Sequence, residues 1–193
     1  MRDHEGDWVG FLPDDGLLKH YSAGNYMDGK HVKDSAVVMA QMMMPQDANP
    51  AGNVHGGVVV KIIDEAAGAV AVRHSRTNVV TASIDRMDFH TPVFVGDLLF
   101  VKASLNYVGR TSMEIGVRVE AENLLSGEIR HAASAYLTYV ALDPQGAPRE
   151  VPPLMLETDE ERRRNREARS RREIRLAERQ KEAGCQEEAG VCR

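Results

Sequence analysis

The sequence predicts an α+β domain in which one long buried helix lies against an antiparallel sheet. Three observations carry this. The apolar run from Val58 to His74 is about 17 residues, too long for an ordinary strand. Four β-rich runs follow it, and sequential strands joined by short turns pair antiparallel. One strand-like run precedes it, so the order is strand, helix, four strands, a two-layer arrangement.

Residues 1–34 are rich in Gly, Asp and His and show no sustained periodicity. They read as a loosely structured extension whose packing residues would be Trp8, Phe11, Leu12, Leu17, Leu18 and Tyr21. The first strand is Ala36–Met44, stopped by Pro45. A polar loop, Gln46 to Asn53, leads into His55-Gly56-Gly57 and the helix. Within the helix only Lys61, Asp64, Glu65 and Arg73 carry charge, and a helix apolar nearly all round is a buried one. Strands are then expected at Val79–Phe89, Asp97–Val108, Thr111–Glu122 and Glu128–Leu142. Their separators are Pro92 with Gly96-Asp97, Gly109-Arg110, and the run 123–127.

Four prolines, Pro144, Pro148, Pro152 and Pro153, then mark a linker. From Glu157 to Glu182 there are ten Lys/Arg against eight Asp/Glu. Interleaved acids and spacings such as Glu167 to Arg171 favour a solvated single helix over a nucleic-acid-binding tail.

Composition narrows the function classes. Over 193 residues the formal net charge is −5, which disfavours general nucleic-acid or anionic-membrane binding. No apolar run reaches the length of a bilayer span, and the N-terminus reads as no signal peptide. The two cysteines, Cys185 and Cys192, form neither a disulfide framework nor a zinc site. The histidines lack metal-ligand spacing, so no metal is expected. A cytoplasmic location fits.

Two features carry chemistry. Glycines at 56 and 57 let a ligand approach the start of the helix, where free N–H groups favour negative charge or a polarised carbonyl. Asp64 sits among Ile62, Ile63, Ala66 and Ala67, where an ionised carboxylate is costly unless paired. Small residues on its helical face, Gly57, Ala67, Gly68 and Ala71, leave room for a partner helix or ligand. Pattern alone fits equally well an acid on an exposed strip with Lys61 and Glu65.

Several runs together resemble the hotdog-fold acyl-CoA thioesterases, specifically the cytosolic acyl-CoA hydrolase family. They are Met44-Pro45-Gln46-Asp47-Ala48-Asn49, Gly52-Asn53-Val54-His55-Gly56-Gly57, and Lys61-Ile62-Ile63-Asp64-Glu65-Ala66-Ala67-Gly68. Thr81-Ala82-Ser83-Ile84-Asp85, Phe89-His90-Thr91-Pro92, Gly96-Asp97 and Val108-Gly109-Arg110-Thr111-Ser112 complete the set. The resemblance implies a hotdog fold, a five- to six-stranded antiparallel sheet wrapped around one central helix. It divides the chain into the extension at 1–34, the hotdog domain at 35–155 and the charged tail at 156–193.

It further implies hydrolysis of fatty acyl-CoA by a catalytic pair matched here by Asn53 and Asp64. His55, Gly56 and Gly57 would offer backbone N–H groups to the thioester oxyanion. Asp64 would serve as general base or as nucleophile, and Asn53 would orient water or carbonyl. Arg110, Thr111 and Ser112 are suited to the CoA phosphates. CoA belongs to substrate and product, so no separate cofactor is expected. Which of Val58, Ile62, Met87 or Phe89 closes the acyl tunnel stays open. Two alternatives remain: a hydratase or dehydratase using His55 with Asp64, and a non-catalytic acyl-CoA-binding or sensor module. The missing Gly-x-Ser-x-Gly elbow disfavours an α/β-hydrolase.

Seven residues separate Gly57 from Asp64, about 10 Å along a helix, whereas proton transfer needs roughly 3 Å. Two subunits with antiparallel helices would bring the partner's acid to this helix start. A homodimer sharing its sites is therefore expected as the minimal unit, and the resemblance suggests a trimer of dimers.

Overall fold

The structure, a computed structural model, describes residues 27–188. The expected packing of Trp8 to Tyr21 lies outside the described residues. Among the described residues no helix is long and apolar enough to cross a membrane.

The chain forms β1 (Lys30–His31), α1 (Val32–Ser35), β2 (Val37–Met42), a 3-10 turn at Pro45–Asp47, and α2 (Gly56–Ser75). It continues through β3 (Asn78–Phe89), β4 (Asp97–Val108), β5 (Ser112–Asn123), β6 (Glu128–Leu142), β7 (Leu154–Met155) and α3 (Asp159–Glu188). Strands β2 to β6 make one antiparallel five-stranded sheet in the order β2-β4-β5-β6-β3. The short β1 pairs with β7 in parallel, tying the chain before the five-stranded sheet to the chain after it.

Helix α2 begins where the His55 side chain accepts the Gly57 N–H at 2.9 Å, a cap for an otherwise orphaned donor. It ends at Arg76, in the left-handed region at φ 55°, whose N–H returns to the Val72 carbonyl. Val59, Ile62, Ile63, Ala66, Ala67, Val70, Ala71 and His74 are buried, the 3-and-4 spacing of one helical face. That face meets the inner side of the sheet, where alternate residues of β4, β5 and β6 point inward. Examples are Leu99, Val101 and Leu105, Ile115, Val117 and Val119, and Ala135 and Leu137. With so few aromatics, aliphatic and alanine side chains close this core.

The helix is not covered all round, however. Its other face is apolar as well, and Val72 is 47% exposed. Beside it β3 is a sheet edge, and Val80, Ile84 and Phe89 on that strand are all exposed. The all-round apolar pattern that predicts a fully buried helix thus combines one face packed within the chain and one left open.

Helix α3 departs from the expected solvated helix. Ala168 is fully buried and Asn165 nearly so. The Asn165 amide donates to the Asn106 carbonyl at 2.9 Å, and Arg171 pairs with the buried Glu114 at 2.6 Å. The contact is polar with a single alanine at its centre. No apolar stripe announces it, and a charge count within the helix sees only its own i,i+4 pairs.

Candidate active site

Asp64 sits midway along α2, half-buried on the side facing β3 and β6. Thr81 on β3 donates its hydroxyl to Asp64 Oδ1 at 2.8 Å, and Tyr139 on β6 donates to the same oxygen at 2.6 Å. The Tyr139 hydroxyl also lies 2.8 Å from the Asp64 backbone carbonyl. Tyr139 packs over Gly68, one turn beyond the acid, where a Cβ would lie 3.7 Å from its hydroxyl, an ordinary van der Waals contact. Burial, reinforced by the hydrogen bond to Asp64, holds the Tyr139 phenol well above its usual range, so it remains a donor. Both hydroxyls converge on Oδ1, and no described residue hydrogen-bonds Oδ2.

The start of α2 forms the second half of the candidate site. Asn49 accepts the Ala51 and Asn53 N–H groups on its side-chain oxygen at 2.9 and 3.3 Å. Its own N–H reaches the Asn53 carbonyl at 2.7 Å, and Gly52 takes the positive φ of 87° that this turn requires. The amide nitrogen of Asn49 is thereby aimed by its oxygen. Asn53 bridges to Phe94 through its backbone, and its side chain makes no hydrogen bond to any described residue. Asn49, Asn53, Gly56, Val59, Phe89 and His90 line one cavity of about 360 Å³.

The expected oxyanion donors are not equivalent. The His55 N–H is taken by the Asp47 carbonyl at 2.8 Å, and the Gly57 N–H by the His55 ring. The Gly56 N–H, first in the helix, is left over. Eight residues, about 12 Å of helix, separate Gly56 from Asp64. One chain therefore holds the two halves apart.

Arg110, Thr111 and Ser112 form the β4–β5 hairpin. Arg110 is exposed, with Glu150 at 3.5 Å, and its carbonyl accepts the Val151 N–H. In the sheet register Ser112 faces Val140 and Met113 faces Tyr139. The hairpin thus belongs to the Asp64 end of the sheet, not to the Gly56 end.

A larger groove of about 480 Å³ lies under α3, but its cations are matched by acids. Arg118 and Lys102 pair with Glu120, Arg163 with Glu160, and Arg171 with Glu114. Among the described residues no cluster of His, Cys, Asp or Glu is placed to hold a metal ion.

Sequence reasoning missed Thr81, Tyr139 and Asn49. Two of them lie inside the resembling runs but were given no role. Tyr139 had a signal of its own: it interrupts the small apolar inner face of β6, and a buried phenol needs a partner.

The Thioesterase superfamily profile matches residues 51–127. The chain is 39% identical over 135 residues to the cytosolic acyl coenzyme A thioester hydrolase of Mus musculus, covering 69% of this chain. It spans only 35% of that protein's length, about a third. An apo hexameric acyl-CoA thioesterase superposes with a TM-score of 0.76 at 39% identity, over 79% of this chain and 97% of that one. The acyl-CoA hydrolase of Staphylococcus aureus, in complex with butyryl coenzyme A, coenzyme A and coenzyme A disulfide, gives 0.76 at 35% identity, over 83% and 98%. That hydrolase is also known as three alanine variants, at an Asp, at an Asn 15 residues before it and at a Thr 17 after it. From its hotdog fold and these matches, the chain belongs to the acyl-CoA thioester hydrolase family of the thioesterase superfamily.

Proposed function

We propose that this chain hydrolyses acyl-CoA thioesters to a free fatty acid and CoA, at sites shared between two copies. The observation that carries the reading is the Asp64 carboxylate fixed by the Thr81 and Tyr139 hydroxyls. Asn49, Asp64 and Thr81 stand 15 and 17 residues apart, the spacing of the three substituted positions in the S. aureus hydrolase.

The thioester carbonyl binds at the start of α2 with its oxygen toward the Gly56 N–H, where the helix dipole favours developing negative charge. The acyl chain lies along Val59 and Phe89. Asn49, with its oxygen tied down by the loop, donates from its amide nitrogen to the carbonyl or the attacking water. It takes the part that the sequence suggested for Asn53, whose side chain lacks such an anchor. Asp64 Oδ2 removes a proton from water as the water oxygen attacks the carbonyl carbon. The C–S bond then breaks, and the CoA sulfur leaves as thiolate and takes up a proton. A carboxylate attacking directly, to form an anhydride that water then opens, uses the same atoms. Neither route calls on a cofactor.

The 12 Å between Gly56 and Asp64 is closed by a second copy. The open β3 edge and the uncovered apolar face of α2 are suited to an isologous dimer with α2 helices antiparallel. Each site then takes Asn49 and Gly56 from one chain, and Asp64 with the Arg110–Thr111–Ser112 hairpin from the other. In this arrangement the hairpin receives the CoA phosphates. The hexameric thioesterase that the chain superposes on supports three such dimers per assembly. The name of the mouse relative supports a cytosolic setting.

The test is thiol release from acyl-CoAs ranging from acetyl to palmitoyl. The wild-type chain is expected to turn over, and Asp64→Ala to lose roughly 10²–10⁴ in rate. Turnover undiminished in Asp64→Ala refutes the assignment of the acid.

A further inference from the structure

Helix α3 crosses the outer face of the sheet, and one of its faces touches four strands in turn. Asn165 donates to the Asn106 carbonyl of β4. Arg171 pairs with Glu114 of β5 and lies 3.8 Å from the ring of Tyr136 on β6. Arg175 reaches the edge strand, donating to Asp85 of β3 and, at 2.6 Å, to the Thr138 hydroxyl of β6. Asn106, Glu114, Thr138 and Asn165 are all buried in this seam. Buried polar groups need their partners, so such a seam fixes where the helix sits more than how tightly it binds.

The Arg175 contact falls at a particular place. β3 carries two bulges, one at Ala82 and one at Asp85, where the register with β6 slips. Bulges re-aim neighbouring side chains. Asp85 is held from three sides, by Arg175, by the Ser83 hydroxyl at 2.6 Å and by the Thr138 hydroxyl at 2.9 Å. The residues flanking this knot on the inner face are Thr81, opposite Tyr139 in the register, and Tyr139 itself, next to Thr138. These are the two donors to Asp64.

We propose that Arg175 is a positioning residue: through Asp85 and Thr138 it sets the bulged segment of β3 against β6, and so aims Thr81 and Tyr139 at the Asp64 carboxylate on the opposite face. Helix α3 is in this view a brace behind the active site. The proposal rests on the hydrolase reading above and adds a role for the charged C-terminal segment. Arg175 and Asp85 are 16% and 10% exposed, so removing the guanidinium leaves a nearly buried carboxylate unpaired. The bulge then relaxes, and its effect reaches the acid without any change in the substrate-binding groups.

The test compares Arg175→Met, Arg175→Lys and the pair Arg175→Met/Asp85→Asn with a control, Arg163→Met, which breaks an ion pair on α3 away from β3. Steady-state thiol release and amide hydrogen exchange across residues 80–87 are read on each full-length protein. Arg175→Met should lower kcat about 5- to 50-fold with KM within twofold, and speed exchange in the bulge at least about tenfold. The double variant should recover part of the loss because no charge is stranded, and Arg175→Lys should fall between. In a Thr81→Val/Tyr139→Phe background Arg175→Met should cost less than twofold more, since both hydroxyls through which it acts are then gone. A kcat within twofold of wild type in Arg175→Met overturns the proposal, as does a full multiplicative loss in the Thr81→Val/Tyr139→Phe background. Should Arg175→Met not fold, the same limits apply to Arg175→Gln. A wild-type chain that releases no thiol contradicts the hydrolase reading instead, and the hydrogen exchange alone then decides whether Arg175 braces β3.

Discussion

Replacing Tyr139 by Phe removes one oxygen atom and keeps the ring that packs against Gly68. The lost hydroxyl donates to Asp64 Oδ1 at 2.6 Å and lies 2.8 Å from the Asp64 carbonyl. A hydrogen bond to a charged group contributes about 1.5–3 kcal/mol. If it serves to aim the carboxylate in the transition state, that range corresponds to about a 10- to 150-fold loss of kcat. KM should change little, because the phenol contacts no substrate group. The assay is thiol release at saturating acyl-CoA, with thermal unfolding to confirm folding. Thr81→Val removes the second donor to the same oxygen. The double variant should therefore lose less than the product of the single losses, because one misaimed carboxylate cannot be misaimed twice. A folded Tyr139→Phe protein with kcat within twofold of wild type refutes the claim that this hydroxyl positions the acid.

Other expectations follow from the same geometry. Arg110→Ala should raise KM for CoA thioesters about three- to tenfold with kcat nearly unchanged, and the effect should shrink in high salt as phosphate contacts are screened; an unchanged KM contradicts the hairpin's assignment. His74 is buried between Ser35 and the Pro152 carbonyl, and burial holds its imidazole below the usual range. The unfolded chain then binds the extra proton, so stability should fall as pH drops below about 6.5. His74→Gln should flatten that slope in melting temperature against pH, and an equal slope in both proteins contradicts it. The Tyr139 phenol is raised in the fold, so it adds stability below about pH 10 that is lost as pH rises further. Tyr139→Phe should show a shallower alkaline loss in the same measurement.

Much of the architecture was legible because each element carries a local signal. The Val58–His74 run was too long for a strand, and the structure extends it by only the two glycines at its start and Ser75 at its end. The four later strands alternate so regularly that their observed limits fall within a residue of the expected ones. Asp64 stood out because a carboxylate among isoleucines and alanines needs a partner. Its partners did not stand out, since Thr81 and Tyr139 come from strands 17 and 75 residues away, and only the sheet register brings them together. Asn49 and Asn53 look equivalent as letters. What separates them is the loop's hydrogen bonding, which anchors the amide of one and leaves the other loose. The docking of α3 was hidden for a related reason. Its partners Glu114, Asp85 and Asn106 lie on the outer face of the sheet, where polar residues are expected in any case.

The central claim is that one site draws Asn49 and Asp64 from different chains. Asn49→Ala and Asp64→Ala proteins, each inactive alone, should be unfolded or dissociated together, reassembled in equal amounts and assayed for thiol release. Half of the dimers should be mixed, each with one intact site of two, so activity should return to about a quarter of wild type. Subunit exchange confirmed by mass or by tag, with activity no higher than that of the separate variants, would contradict the shared site.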